Sequence, residues 1–158
     1  ATIECPFFVT LKKDEALRGC IGSLSPKRLA LLADFALSSA FKDRRFRPLA
    51  EAELPQLDLS VSLLVNYERG LRYDDWIVGT HGIIIEFTIG GTSYAATYLP
   101  EVAPEQNWDQ HAAVLSLIQK AGFNGKVDNA VLESISLTRY QSSKIALSYV
   151  EYVRIKGI

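Results

Sequence analysis

An α+β fold with mainly antiparallel strand pairing is the fold class that the sequence predicts. Strand-like segments meet at two hairpin signals, and two segments with amphipathic helix patterns lie among them. The strands and helices do not alternate in the regular order of β-α-β units, so a parallel sheet is not favoured. With 158 residues, 48% of them hydrophobic and 22% charged, the chain fits one domain with an apolar core.

The first hairpin joins two strands near the start of the chain. Apolar and polar side chains alternate over residues 7–12, Asp14 and Glu15 form a polar turn, and residues 17–24 are the expected partner strand. Ser25 and Pro26 then resemble the cap and first position of a helix. The predicted buried face of that helix comprises Leu29, Leu32, Ala33, Ala36, Leu37 and Ala40.

The middle of the chain begins with a charged loop that ends at Pro48. Residues 57–65 alternate as a strand with one buried face. Residues 83–89 and 92–99 flank two glycines, a dipeptide typical of a two-residue hairpin. The residues predicted to share one face of this hairpin are Ile83, Ile85, Phe87, Ile89, Tyr94, Ala96 and Tyr98.

The last third of the chain carries a second helix signal. Asn107 and Gln110 resemble an N-cap and its N3 partner, so we expect a helix that runs through Ala121 and ends at Gly122. Its expected apolar stripe comprises Trp108, Ala112, Leu115 and Ile118. Residues 134–140 are strand-like, and residues 144–153 fit either a helix or a strand.

Composition argues against several classes of function. The net charge is −1, whereas a nucleic-acid binder usually carries a basic surplus, so nucleic acid is not an expected partner. No apolar stretch is long enough to span a bilayer, so no membrane is expected either. With two histidines, two distant cysteines and no paired ligand spacing, the sequence predicts no metal site, and no cofactor motif is found.

The two cysteines are expected to be free thiols. If Lys13 and Leu17 close the first hairpin, Cys20 lies opposite Thr10, five residues along the strand from Cys5. That separation is roughly 17 Å, whereas a disulfide needs Cα atoms within about 7 Å. Free thiols and the lack of a secretory leader at the start of the sequence predict a cytoplasmic or nuclear, reducing location.

The segment Leu-Arg-Gly-Cys-Ile-Gly at residues 17–22, called the LRGCIG segment below, is the candidate functional centre. Strand alternation puts Leu17, Gly19 and Ile21 on the core side and Arg18, Cys20 and Gly22 on the other side. An arginine beside a cysteine favours the thiolate, and glycines allow close approach of a ligand. The structural alternative is a buried cysteine and an arginine paired with a core carboxylate, which the residues alone favour.

The LRGCIG segment, preceded by residues 8–12, resembles the signature of the AMMECR domain family. Further similarities to its eukaryotic branch are found at Asp43, Arg45, Phe46 and Pro48, at Glu53 and Leu54, and in segments 60–64, 76–87, 97–103, 106–109 and 137–140. The resemblance covers nearly the whole chain. Family members usually carry a further helical segment before the point where this sequence starts.

The resemblance implies one two-lobed AMMECR-type domain over residues 1–158. The larger lobe would contain both termini, the smaller lobe would come from the middle of the chain, and the signature would face a cleft between them. No settled activity comes with the family. We expect the cleft to bind a protein segment or a sizeable ligand in a regulatory role, and the oligomeric state stays open. The expected binding residues are Leu17, Gly19, Ile21, Gly22, Tyr98, Glu101 and Trp108.

The alternative is an enzyme that uses Cys20 as a nucleophile or redox thiol. Arg18 would support the thiolate, and His81 would act as general base if the fold brings it within reach. A lone histidine is more often structural, and the same holds for His111. Glu101 and Glu105 would share a helical face, where a solvated role is as well supported as acid–base work.

The cations of residues 42–47 also resemble an RNA-contacting patch. On charge grounds we favour a solvated loop there, with Phe46 packed inward.

Overall fold

The computed structural model describes residues 2–157 and has an α+β architecture. The strands and helices in chain order are β1 (Glu4–Lys13), β2 (Ala16–Arg28), α1 (Leu32–Phe41), β3 (Leu57–Leu71), β4 (Gly82–Ile89), β5 (Thr92–Tyr98), α2 (Val102–Gln106), α3 (Gln110–Lys120), α4 (Asn129–Ser134), β6 (Ser136–Ser148) and α5 (Tyr149–Lys156). Short 3₁₀ helices cover Leu29–Leu31 and Glu51–Gln56. The strands form one sheet in the order β2-β1-β3-β6-β4-β5. The predicted fold class is therefore confirmed.

The chain divides into two compact units. The first unit comprises Ala1–Leu64 with Ser143–Ile158, and the second unit comprises Val65–Ser142. Strands β3 and β6 each continue from one unit into the other. No helix in the described part of the chain is both long enough and apolar enough to cross a membrane.

The β1–β2 hairpin of the first unit contains a β-bulge. Its turn is formed by Asp14 and Glu15, which have φ angles of 48° and 68°, so both residues are in the left-handed region that such two-residue turns require. Lys12 pairs with Leu17, but Leu11 pairs with Gly19, so Arg18 is the additional residue of the bulge. The predicted closing pair is wrong, because Lys13 pairs with Ala16 instead of Leu17, but beyond the bulge Thr10 pairs with Cys20, as predicted.

Helix α1 begins later than the sequence predicts. The prediction of a helix capped by Ser25 is wrong, because β2 continues to Arg28 and residues 27 and 28 pair with Cys5 and Glu4 of β1. These pairs keep the backbone extended where local signals favour a helix. The predicted continuous helical face is therefore divided between a short 3₁₀ helix and α1.

The buried face of α1 also differs from the prediction. Its one buried residue is Ser39, while Ala33 is exposed and the side chain of Leu37 is 59% exposed. The Ser39 hydroxyl bonds to backbone atoms of both β1 and β2, and the Phe35 ring packs against Phe7 of β1, so polar and apolar contacts together orient the helix.

The second unit contains the larger apolar core. The predicted β4–β5 hairpin is confirmed, with Ile83 opposite Tyr98 and Phe87 opposite Tyr94. Its turn residues Gly90 and Gly91 have positive φ angles. The core is built from the hairpin, α2, α3, α4, β6 and Trp76.

The second predicted helix begins at a different cap. Asp109, and not Asn107, is the N-cap of α3, because its carboxylate accepts a hydrogen bond from Ala112 N. Asn107 instead ends α2 with a φ of 58°. The buried residues of α3 are Ala113, Val114, Leu117 and Ile118, so the predicted stripe was correct only at Ile118.

Candidate functional site

Arg18 of the LRGCIG segment forms a buried ion pair with Glu53. The Arg18 guanidinium donates from Nε to Glu53 Oε1 at 2.9 Å and from Nη2 to Oε2 at 3.1 Å. Lys13 Nζ donates to the same carboxylate at 3.1 Å, and Ala50 N donates at 2.8 Å. The hydrogen bond from Arg18, followed by that from Ala50, holds the pKa of Glu53 well below its ordinary value. Arg18 is thus the partner of a buried carboxylate.

The bulge explains why strand alternation fails at the start of the segment. The expectation that Leu17 holds the core is wrong, because its side chain is 42% exposed while Arg18 is buried. One additional residue in a strand shifts every preceding side chain to the other face. Ile21, which lies beyond the bulge, is half-buried.

The backbone of Cys20 is held by a second charged pair. Cys20 N donates to Asp43 Oδ2 at 2.9 Å, and Arg45 Nη2 donates to Cys20 O at 3.3 Å. Arg45 also donates to both oxygens of Asp43, at 2.7 and 3.0 Å. Those bonds from Arg45 are the main reason why the pKa of Asp43 is well below its ordinary value. Because β2 is an edge strand, this pair occupies polar backbone groups at the edge of the sheet.

The two glycines of the segment permit close backbone approach. A Cβ atom at Gly19 would overlap the backbone carbonyl of Ser39, and one at Gly22 would overlap Phe7 O and the Phe8 side chain. The Ser39 hydroxyl donates to Val9 O at 2.7 Å and accepts from Ile21 N at 3.0 Å. Gly19 and Ser39 together bring α1 directly against the hairpin, whereas Gly22 permits close approach to β1.

The thiol of Cys20 is half-buried and has a hydroxyl beside it. Its Sγ lies 3.2 Å from Thr10 Oγ1 on the paired strand. Cys5, by contrast, donates from Sγ to Leu64 O at 3.3 Å, and burial raises its pKa. Both cysteines are free, as predicted.

His81 lies in the second unit, away in sequence from the LRGCIG segment. Its Nδ1 accepts a hydrogen bond from Ile77 N at 2.9 Å, so the neutral ring carries its proton on Nε2. Burial, and secondly the charge of Arg139, lowers the His81 pKa. A general-base role toward Cys20 stays a prediction.

The three other predicted binding residues also belong to the second unit. The Tyr98 hydroxyl lies 2.7 Å from Ser116 Oγ, and its ring lies 5.9 Å from that of Trp108. Lys120 Nζ sits 4.8 Å from the centre of the Tyr98 ring. Glu101 is exposed at the start of α2, and Glu105 N donates to its carbonyl. Their binding role stays a prediction.

Comparison with known proteins identifies the family. The AMMECR1 family model matches residues 1–145. The chain belongs to the AMMECR1 family.

Several proteins are similar to most of this chain. An uncharacterized protein of Arabidopsis thaliana is 49% identical over 156 residues, which is 94% of this chain and 73% of the relative. An uncharacterized protein of Schizosaccharomyces pombe is 42% identical over 157 residues, or 96% of this chain and 80% of the relative. The crystal structure of an uncharacterized protein from Pyrococcus horikoshii matches with a TM-score of 0.68 and 29% identity, covering 90% of this chain and 73% of that chain.

Sequence reasoning missed the roles of Glu53, Asp43 and Ser39. The two carboxylates belong to segments that resemble the family, but nothing in their spacing connected them with Arg18 and Cys20. The structural alternative in the sequence analysis did pair Arg18 with a core carboxylate, and Glu53 is that carboxylate, although the sequence did not identify it. Among the described residues, no group of three or more His, Cys, Asp or Glu side chains is placed to hold a metal ion.

Proposed function

We propose that this AMMECR1-family chain is a regulatory domain that binds a protein segment or a sizeable ligand against the strand around Cys20. The observation that carries the proposal is that the charged side chains at the LRGCIG segment bind one another and the backbone of the segment. Arg18 is bonded through two nitrogens to Glu53, and Asp43 with Arg45 holds both backbone groups of Cys20. These bonds hold the LRGCIG segment rigid, and the half-buried Cys20 thiol takes no part in them.

A rigid strand segment favours binding because little conformational freedom is lost when a partner docks. Ser39 fixes the segment from the helix side, and Gly19 brings the helix backbone directly against it. The expected cleft between the two lobes stays a prediction.

A second candidate is an enzyme that uses the Cys20 thiol as a nucleophile. One observation favours it: Thr10 Oγ1 lies 3.2 Å from Cys20 Sγ, within reach for a hydroxyl that donates to a thiolate. One observation argues against the enzyme. Arg18, which the sequence analysis expected to stabilise the Cys20 thiolate, forms its ion pair with Glu53 instead.

A display experiment separates the two candidates. Random peptides from a library are selected for binding to the immobilised chain. The affinity of the selected peptides is then measured for two variants: Cys20→Ser, and Cys5→Ser with a bulky maleimide adduct on Cys20. If the segment is a binding surface, Cys20→Ser keeps the affinity and the adduct removes it. The Cys5→Ser variant without the adduct is the matched control and should bind like the wild type.

The opposite pattern supports the enzyme. Cys20 would alkylate much faster than Cys5 at neutral pH, and Cys20→Ser would abolish capture of an electrophilic probe. Selected peptides that ignore the adduct on Cys20, or a failure to select any peptide, would contradict the binding proposal.

A further inference from the structure

One face of the sheet in the first unit carries a row of three small polar side chains. Phe7 packs on Phe35 of α1, with 4.9 Å between the ring centres, so Thr10, three residues along β1, lies on the face away from the helix. Thr10 is directly opposite Cys20 of β2 on one side and Ser60 of β3 on the other. Direct cross-strand partners share a face of the sheet, and Thr10 Oγ1 lies 3.2 Å from Cys20 Sγ. A thiol and two hydroxyls therefore form one row across three adjacent strands.

The hydroxyl of Ser60 indicates that this row contacts a ligand. Ser60 is only 7% exposed, and its side chain forms no hydrogen bond with any residue that the structure describes. A buried hydroxyl without a partner is destabilising, so such a group calls for an explanation. The oxygen is not completely sealed from solvent, so a polar group of a ligand that lies along the row can reach it.

Two side chains of opposite charge lie next to this row on the same face. Lys12 of β1 is directly opposite Asp58 of β3, and each is two residues along its strand from Thr10 or Ser60. Lys12 is exposed and Asp58 is half-buried. Neither forms an ion pair with any other side chain in the described part of the chain. Sheet spacing places the pair roughly 8–12 Å from Cys20, so a ligand bound along the row can meet both charges.

We propose that Cys20 is a site of S-thiolation, at which a peptide thiol with an amino-acid head group, such as glutathione, forms a mixed disulfide. The disulfide form of the peptide is the oxidant. The Cys20 thiolate attacks one of its sulfurs, the bond from Cys20 to that sulfur forms as the old S–S bond breaks, and one peptide thiolate leaves. The leaving thiolate takes up a proton in place of the one that Cys20 lost. The Thr10 hydroxyl, 3.2 Å from Cys20 Sγ, can donate to the attacking thiolate.

The inference goes beyond the proposed binding function, because it needs no protein partner. It also differs from the enzyme candidate, because the chain is the acceptor and the peptide thiol stays attached to it.

The chemistry of glutathione matches both parts of this face. Its amide groups lie within a few bonds of the sulfur, where they can bond to the hydroxyls of Thr10 and Ser60. Its γ-glutamyl end carries an ammonium and a carboxylate on one carbon, which complement the charges of Asp58 and Lys12. A purely anionic ligand would leave Asp58 uncompensated, and a neutral disulfide would use neither charge.

The rates of reaction with two disulfides test the inference. The folded chain is incubated with oxidised glutathione or with bis(2-hydroxyethyl) disulfide, which carries no charge and no amide, and peptide mass mapping locates the modified cysteine. Each rate is divided by the rate of the same disulfide with the chain unfolded in urea, which removes differences in intrinsic reactivity. At Cys20 the glutathione ratio should exceed the hydroxyethyl ratio about fivefold or more. Cys5, whose thiol donates to Leu64 O at 3.3 Å, is the internal control and should show no such preference.

Variants of the same face locate the recognition. Lys12→Gln with Asp58→Asn should remove the preference for glutathione at Cys20. Glu4→Gln with Arg28→Gln is the matched control, because these exposed residues form a cross-strand pair of opposite charge at the far end of β1 and β2, and the preference should remain. Ser60→Ala should shift the equilibrium from the mixed disulfide toward the free thiol. It should not lower the melting temperature of the free chain, because the hydroxyl that it removes is buried without a partner.

Three results would overturn the inference. The first is an equal ratio for the two disulfides at Cys20, which would show that the face recognises neither the amides nor the charges of glutathione. The second is a preference that survives the loss of both charges at Lys12 and Asp58. The third is reaction of oxidised glutathione with Cys5 as fast as with Cys20. None of these results changes the outcome of the peptide selection, so the two proposals fail separately.

Discussion

Among the described residues, fourteen of the nineteen buried apolar side chains belong to the second unit, and five belong to the first. Buried polar and charged side chains show the opposite distribution. The first unit contains Arg18, Ser39, Asp43, Glu53 and Ser60, whereas the second contains His81. Nine of the eleven exposed large apolar side chains also belong to the first unit.

The difference separates two ways of stabilising a fold. The second unit excludes water from an apolar core, which is the usual source of stability. The first unit uses ion pairs with buried carboxylates to hold the LRGCIG segment, and it leaves apolar side chains exposed to solvent. A surface arranged in this way is better suited to contact a partner than to maximise stability.

The largest expected effect is the loss of an apolar side chain in the second unit. Leu117 of α3 is fully buried, so Leu117→Ala should lower the free energy of unfolding by about 2–5 kcal/mol. Leu115, on the same helix and 36% exposed, is the matched control, and Leu115→Ala should cost much less. Denaturant titration measures both, and equal losses would show that α3 does not carry the core.

A smaller effect is expected when the charge pair of the first unit is broken. Glu53→Gln keeps the shape of the side chain but removes the charge that Arg18 and Lys13 bind. Arg18 and Glu53 are both buried, so the variant leaves a buried guanidinium without its counter-charge, which is destabilising. The amide oxygen of Gln can still accept a hydrogen bond from Arg18, so we expect a somewhat smaller loss than for Leu117→Ala. Glu51→Gln, at an exposed position of the same 3₁₀ helix, should be neutral.

The Glu53 variant should also change the pH dependence of stability. The folded-state pKa of Glu53 is lowered from its ordinary value of 4.5. Its contribution is therefore present above that pH and is lost as the pH falls toward the folded-state value. The free energies of unfolding of the wild type and of Glu53→Gln should therefore converge as the pH falls. A difference that stays constant down to low pH would show that Arg18 does not stabilise the carboxylate.

Local rules predicted the hairpins but not the helix boundaries. Gly90 and Gly91 both need positive φ, and a two-residue turn then determines which residues pair, so the β4–β5 register could be derived from the sequence. The start of α1 could not, because Ser25 and Pro26 favour a helix while the pairing of Lys27 with Cys5 keeps the strand extended. That competition is decided by a contact between distant residues.

Sequence reasoning identified only part of the candidate site. The LRGCIG segment and the Thr10–Cys20 pair were found, but the carboxylates that complete the site lie 35 residues from Arg18 and 23 residues from Cys20. No periodicity connects residues at such separations. The bulge at Arg18 is a further obstacle, since a single additional residue reverses the face assigned to Leu17.

The smallest expected effect concerns His81, the buried polar residue of the second unit. Its pKa is lowered from 6.5 by burial and then by Arg139, while Glu68 and Asp75 act in the opposite direction. The folded state therefore binds the proton more weakly than the unfolded state, and stability is lost as the pH falls below 6.5. His81→Asn keeps an acceptor for Ile77 N but does not titrate, so its unfolding free energy should stay flat between about pH 8 and pH 5.5.

His111, which is exposed on α3, provides the matched control, and His111→Asn should keep the wild-type slope. If His81→Asn retains that slope as well, the acid sensitivity of the second unit comes from groups other than His81.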